Sequence, residues 1–494
     1  MIYKYGTAGF RFDSTELLKI SQKIAIGCVE ILSKKPFYNN FLAIMITASH
    51  NIETDNGVKI INNQGTMIEQ CDETILETIV NCNNNELLQI VENLKINPPI
   101  ITILFGRDTR KSGKQIYNEL IKGFELVSNP IFIDADLITT PLFHYIAFHN
   151  NLLENKINYL NILNDIQLKF NPIVDCAGGV GAIILQQLNH KNLLICNFPE
   201  NTILNVDCGS DFVQQTISPP NLNLLGGSDI VQQTISPPNL NLLGCSDIVQ
   251  QPIYPPNLNL LNSNNYGCSL DGDADRLIFW YKNNIGQFQI LDGDNQLVLW
   301  SLFLQTIFPS VVAITTPYCN SSTIDFLKKN NIQVIITPTG IKNLQHEAYK
   351  YNVAVYFENN GHGTAHYPND IILKNGQILV KNELIGDGIY NIFTTCQILE
   401  ELNLSFDDWF HLYKKKDVFQ YKIPIQIIPD LQTSGIMYDV IYPIWLKEFI
   451  QIETKQYNDR IFLRKSGTEP VIRIFIESNN IQKLTAIVQN KLNK

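Results

Sequence analysis

No run in this chain is apolar for long enough to cross a bilayer, no Cys-x-x-Cys pair occurs, and positive charge is in deficit. Each absence removes a class of protein. A bilayer span needs about 20 apolar residues in succession, so no membrane partner is expected. The ten cysteines, at 28, 71, 82, 176, 196, 208, 245, 268, 319 and 396, are scattered. Such spacing offers neither a zinc site nor a disulfide framework and suits reduced thiols. A formal net charge of -10 argues against nucleic acid or an anionic membrane surface as partner. It also means that an anionic substrate has to be captured by local clusters of Arg and Lys. The first residues, Met1-Ile-Tyr-Lys-Tyr-Gly6, hold no apolar signal core and no Arg/Ser-rich transit stretch, so the expected compartment is the cytosol.

What is present is a large folding chain. With 45% apolar and 17% charged residues it can bury sizeable cores, and its 494 residues suggest roughly three to four domains. Residues 1–165 alternate strand and helix patterns. The spacing of Leu17, Ile20, Ile24, Cys28 and Ile31 predicts a helix over 17–32, and the apolar run Phe41-Leu-Ala-Ile-Met-Ile46 a buried strand. A second unit, 166–285, opens on a strand ending at Asp175 and the Gly-rich turn Gly178–Gly181. A third, 286–414, starts near Asp292, and a last one, 415–494, contains strands such as Val471–Glu477 and a closing helix. Inside the second unit a segment is repeated in tandem over 209–262, its period of 18 marked by Ser210, Ser228 and Ser246. Pro-Pro in every copy argues against a solenoid and for a duplication looped out on the surface. Such insertions cost little closure entropy, roughly 0.6 kcal/mol per doubling of loop length.

Several side chains carry chemistry. Ser49 follows the strand 41–46 at a loop edge, where α/β sheets expose reactive groups; an ordinary turn hydroxyl is the plain alternative. A serine hydrolase is disfavoured, because there is no Gly-x-Ser-x-Gly elbow and His50 is an immediate neighbour. Asp271, Asp273 and Asp275 alternate along what reads as an extended segment, which sets their carboxylates on one face. Hard oxygens in that number suit Mg²⁺. An EF-hand fails because Arg276 stands where Gly is needed, and a solvated acidic turn is the remaining alternative. Gly106-Arg-Asp-Thr-Arg110 followed by Gly113-Lys114 is no P-loop, since the spacing is too long and Gln115 replaces the Ser or Thr. Arg464, Lys465, Ser466, Gly467 and Thr468 combine cations, hydroxyls and a glycine into a phosphate cradle. On the next strand Arg473 points away from Ile472, Ile474 and Ile476, as a second clamp or a solvated arginine. Glu358, Asn360 and His362 lie on a Gly-flanked loop and suit sugar hydroxyls, or form a simple turn.

Taken in order, Tyr5-Gly-Thr-Ala-Gly-Phe-Arg11, Thr47-Ala-Ser-His-Asn51, Gly106–Arg110, Asp175–Gly181, Asp271–Arg276, Phe357–Gly363 and Arg464–Glu469 resemble the motifs of the α-D-phosphohexomutase superfamily, and within it the phosphoacetylglucosamine mutases. The resemblance runs from about residue 5 to Glu477. It implies an α/β fold of four domains, three similar α/β units and a smaller C-terminal α+β domain around a central cleft. It implies that Ser49 is a phosphoserine, binding Mg²⁺ together with Asp271, Asp273 and Asp275. Glu358, Asn359, Asn360 and His362 would grip the sugar, and Arg464–Thr468 with Arg473 the phosphate that is not reacting. Lys59 matches a suspected acid/base, with an exposed structural lysine as its alternative; Arg11 and His50 would hold the phosphoserine, and Arg276 would support it. The implied reaction interconverts N-acetylglucosamine 6-phosphate and 1-phosphate, on the route to UDP-N-acetylglucosamine, with a hexose bisphosphate as activator and intermediate. Its rivals are a phosphoglucomutase or phosphomannomutase and a catalytically silent relative. Ile52, Asn359 and Lys465 depart from the usual Pro, Ala and Pro; none removes a catalytic group. The family has one related Cys-Gly-x-Asp segment, so about two copies of the repeat are surplus. The sequence leaves open which copy is structural and what the oligomeric state is.

Overall fold

A computed structural model describes residues 2–492 apart from 7–8, 150–151, 171, 189, 191–192, 224–265, 381–383, 456–458 and 467–470. Gly467, Thr468 and the second and third copies of the repeat therefore lie outside the described residues. Among those described, no helix is long and apolar enough to cross a membrane.

Strand Phe41–Ile46 sits in the middle of a five-stranded sheet, antiparallel to Asp55–Ile61 and parallel to Ile100–Arg107. A central strand is covered on both faces, which is why it reads as an unbroken apolar run. Its alternate residues enter different cores. Leu42, Ile44 and Ile46 pack with helix Ser14–Lys34, the helix predicted over 17–32, while Ala43 and Met45 join the largest cluster of the molecule. That cluster continues through a second five-stranded sheet, where Tyr266–Leu270 lies between Ile173–Asp175 and Leu277–Lys282. It then enters a third sheet of four strands, built around Val312–Thr315 and Ala354–Phe357. All three sheets mix parallel and antiparallel pairs.

The fourth sheet differs. Asp417–Pro424, Val471–Ser478 and Arg460–Lys465 pair antiparallel only. Their apolar face, Ile472, Ile474 and Ile476, packs on helix Ile481–Leu492 in a core of its own. The sheet meets the third unit through Tyr318, which packs edge-on against Phe462 and Phe475, and through polar groups. Buried Glu477 accepts hydrogen bonds from the Ser321 N–H at 3.0 Å and from Arg460 at 3.3 Å. Arg460 also donates to the Cys319 carbonyl at 2.7 Å and to that of Pro317.

One expectation needs correction. Asp271–Asp275 is no extended segment: the chain turns there, with the Ala274 N–H bonded to the Asp271 carbonyl and Ala274 at φ +60°. Of the three copies of the repeat, among which the sequence leaves the structural one open, the first is built into the fold. It forms helix Ser210–Thr216, with Ser210 and Val213 buried. Its ends are tied down by Gly209 N–H to Asp175 at 2.7 Å and Asn223 N–H to Asn197 at 2.9 Å.

Candidate active site

Beyond strand Phe41–Ile46 the chain makes a strained turn that aims Ser49 inward. Ser49 is buried and sits at φ +53°, a conformation that costs an L-residue roughly 1–2 kcal/mol. The surroundings hold it there. Its N–H donates to Thr47 Oγ1 at 2.9 Å, and that hydroxyl donates to Asp108 at 2.6 Å. Its carbonyl accepts from Asn205 Nδ2 at 2.8 Å and from Arg110 Nη2 at 3.1 Å; the Asn51 carbonyl accepts from the same two side chains. The serine loop is thus gripped from the first sheet by Arg110 and from the second by Asn205.

The result is that Ser49 Oγ donates to Asp271 Oδ2 at 2.5 Å. Asp271, Asp273 and Asp275 are buried, each with a carboxylate oxygen within 4.8 Å of the others. The turn that gathers them is packed hard against the neighbouring Gly-rich turn: a Cβ on Gly179 would lie 2.4 Å from the Gly272 carbonyl oxygen. Burial, and then repulsion by the other two carboxylates, pushes Asp271 well above the ordinary carboxylate range. Burial acts on Asp273 and Asp275 in the same sense, but there the cations win. Lys59 holds Asp273 down, aided by Thr140 at 2.7 Å, and His362, Lys59 and Arg276 hold Asp275 down. Lys59 itself is buried 2.9 Å from Asp273 and 3.4 Å from Asp275. Burial opposes its charge, yet the two aspartates raise it above the ordinary lysine value. Asp273 Oδ1 and Asp275 Oδ1 are buried and accept no hydrogen bond, as befits oxygens facing a hard cation.

Arg11 Nη1 donates to Asn51 Oδ1 at 3.2 Å, and its Nε is unpartnered. His50 faces Asp211 at 3.9 Å. Burial, then Arg276 and Arg11, pushes its imidazole well below the ordinary value. Arg276 lies 3.8 Å from Asp271 and 3.9 Å from Asp275, and donates to Asp211 at 3.0 Å.

The sugar-type loop abuts this centre. His362, 4.0 Å from Asp275, is buried and lowered by that burial despite Asp275 and Glu358 nearby. Asn360 Oδ1 accepts from the His362 N–H at 3.1 Å, and Glu358 from the Gly340 N–H at 2.8 Å. Asn359 is engaged differently: its amide is bonded to Gln214 and Asp292.

Across from it, Arg464 donates to Thr339 Oγ1 at 2.8 Å, with Tyr318 and Tyr438 flanking its guanidinium. Arg464 and Arg473 are direct cross-strand partners, and Lys422 is paired with Arg473 on the other side. Like charges opposite one another are unfavourable in a sheet, so the row suits an anion. Lys465 Nζ is turned to the Pro429 carbonyl at 3.1 Å, and the Ser466 N–H to the Val471 carbonyl. Sequence reasoning did not single out Asn205, Thr140, Thr339 or Lys422, which carry no motif. It passed over Asp211 and Gln214 as well. Their recurrence as Asp229, Asp247, Gln232 and Gln250 was a signal, but one that reads as duplication.

Comparison with known proteins gives a consistent neighbourhood. Residues 292–383 match a family profile described as phosphoacetylglucosamine mutase AMG1, domain III, and residues 28–87 one described as phosphoglucomutase/phosphomannomutase, alpha/beta/alpha domain I. The chain is 29% identical to a phosphoacetylglucosamine mutase of Candida albicans, over 98% of this chain and 95% of the relative. In three dimensions it resembles the crystal structure of an N-acetylglucosamine-phosphate mutase in its product complex, with TM-score 0.80, 27% identity and coverage of 99% and 96%. It also shares the fold of the Aspergillus fumigatus mutase solved with GlcNAc-6P and magnesium, at TM-score 0.80 and 24% identity over 100% and 95% of the two chains.

Proposed function

Because the chain belongs to the α-D-phosphohexomutase superfamily, in its phosphoacetylglucosamine mutase branch, we propose that it interconverts N-acetylglucosamine 6-phosphate and N-acetylglucosamine 1-phosphate through a phosphoserine at Ser49. The observation that carries this reading is the 2.5 Å approach of Ser49 Oγ to the buried aspartate triad. A serine hydrolase has no use for such a partner, and a turn hydroxyl has no reason to sit there.

Asp271, Asp273 and Asp275 would hold Mg²⁺, which supplies positive charge to the phosphoryl group being transferred. Every other task falls to the chain. Ser49 passes its phosphoryl group to the free hydroxyl of the sugar and later takes back the other one. Lys59, beside Asp273 and Asp275, serves as the acid/base for that hydroxyl. Arg11 and His50 steady the phosphoserine, and Arg276 faces the triad from a position set by Asp211. Glu358, Asn360 and His362 hold the sugar hydroxyls in either orientation while the bisphosphorylated sugar turns end over end. Arg464, Arg473 and the loop of 465–468 keep the idle phosphate. A trace of hexose bisphosphate primes the serine. Water is kept from the phosphoenzyme by closure of the fourth domain over the cleft.

The test is ³¹P NMR of the protein with Mg²⁺ and trace hexose bisphosphate, fed N-acetylglucosamine 1-phosphate and glucose 1-phosphate in separate tubes. The 6-phosphate should appear faster from the acetylated sugar; faster turnover of glucose 1-phosphate would move the protein to the phosphoglucomutase branch. Ser49→Ala should abolish turnover and leave sugar phosphate binding measurable by calorimetry. A fully active Ser49→Ala protein would overturn the phosphoserine.

A further inference from the structure

Helix Ser210–Thr216 reaches out of its own sheet at two points. Asp211 and Gln214 are three residues apart and so share one helix face. Asp211 Oδ1 accepts from Arg276 Nη1 at 3.0 Å, and Arg276 stands over the aspartate turn. Gln214 Nε2 donates to both the main-chain oxygen and Oδ1 of Asn359, each at 2.8 Å. The same Asn359 carbonyl accepts from the Gly293 N–H at 3.0 Å, and Asn359 Nδ2 donates to Asp292 at 3.2 Å. The amide of Asn359 is thereby bonded at both ends within the protein, one residue from Glu358 and one from Asn360. A residue so engaged transmits position to its neighbours.

We propose that Gln214 and Asp211 are positioning residues. The helix of the first repeat copy braces the sugar-gripping loop against the metal-binding turn: Gln214 sets the placement of Glu358, Asn360 and His362, and Asp211 that of Arg276. The proposal rests on the mutase reading. Its chemistry is specific, because both Gln214 contacts run from a donor to an oxygen. An isosteric Glu at 214 presents oxygen to oxygen, whereas Lys preserves a donor. Reacting groups tolerate little misplacement; about 1 Å costs on the order of a hundredfold in rate.

The test is steady-state kinetics of the full chain, together with calorimetric binding of N-acetylglucosamine 6-phosphate and a melting curve for each variant. Gln214→Glu and Gln214→Ala should raise KM and weaken binding about tenfold, the scale of lost outer-layer support, with kcat and melting temperature little changed. Gln214→Lys should recover most of the loss. Asp211→Ala should show the opposite split, a lower kcat at nearly constant KM. The second copy differs from the first only in Ile230 for Phe212, so the Gln214 change is also made jointly with the same change at Gln232. A loss that emerges only in the joint variant supports the brace, supplied by either copy. Unchanged binding and KM in the joint Glu variant overturns the proposal, as does a fall in melting temperature that accounts for the whole loss. If the wild type binds the sugar phosphate without turning it over, the mutase reading fails and the binding arm still decides the role of Gln214. If it does not bind at all, both fall.

Discussion

The residues of the centre are arranged against their own preferences. Ser49 is held in a left-handed conformation by Thr47, Arg110 and Asn205, and Arg473 stands directly opposite Arg464 and Lys422. Facing cations destabilise a sheet and gain their worth when an anion lies among them. Arg473→Ala should therefore raise KM for the sugar phosphate at least tenfold, since a hydrogen bond to a charged group is worth about 1.5–3 kcal/mol. Initial rates over a range of substrate concentrations check it. The triad has a pH signature too. Asp271 is raised by burial and by its neighbours, so it keeps its proton to a higher pH than a free carboxyl group. An entering cation must displace that proton. Mg²⁺ binding should accordingly release protons and weaken as pH falls, which calorimetry in buffers of different ionisation heat measures. At this scale the sequence was informative about residue type and blind to partnership. Asp271, Asp273 and Asp275 are legible as a candidate cation site from their residue type and closeness in the chain, whereas Asn205 and Thr140 act through contacts made at long range in the chain.

At the scale of elements the repeat separates what pattern can and cannot say. The copies are near-identical, and among the described residues the first occupies the place between Asp175 and Asn197. That place is selective. Gly209 has φ +87° and ψ 170°, and a Cβ there would lie 2.9 Å from the Ala177 Cβ, in a region that is essentially open to glycine only. The second copy offers Gly227 and the third Cys245. Deleting 227–244 should leave activity near that of the full chain. Deleting 209–244, which leaves the third copy alone, should give poorly folded and inactive protein, and Cys245→Gly in that shortened chain should recover much of both. Circular dichroism melts and the NMR turnover assay report the outcome; equal activity of the two deletions would show that the glycine is not required. The aspartate turn makes a related point. A period-two pattern reads as strand, but Ala274 at φ +60° folds the segment into a turn that gathers the carboxylates more tightly than a strand face does.

For the molecule as a whole, the first three sheets share a continuous core and the fourth has its own. The fourth sheet is joined to them through Glu477 and Arg460 against Pro317–Ser321, through Arg464 to Thr339, and through Tyr318 packed edge-on against Phe462 and Phe475. Breaking a buried ion pair by removing one member costs about 3–5 kcal/mol. Glu477→Ala should lower the melting temperature of the fourth domain's transition and, by loosening its seat over the cleft, raise the inorganic phosphate released per mutase turnover. Malachite-green detection of phosphate against NMR turnover checks it, and an unchanged ratio would mean that this contact does not govern water exclusion.

Local pattern sufficed for the α/β architecture, because burial on one or two faces imposes periods that can be read residue by residue: the helix at Ser14–Lys34, the strand Phe41–Ile46 and the isoleucine face of Val471–Ser478. Motif order sufficed for the superfamily, since reactive residue types must recur in fixed order for a shared reaction. Tertiary structure alone decided that the first copy of the repeat packs into the fold, which side chains hold Ser49 in its strained pose, and that Gln214 bonds to Asn359 and Asp211 to Arg276. Those outcomes depend on distances between residues far apart in sequence, such as Ser49 and Asp271 or Gln214 and Asn359. No local periodicity records them.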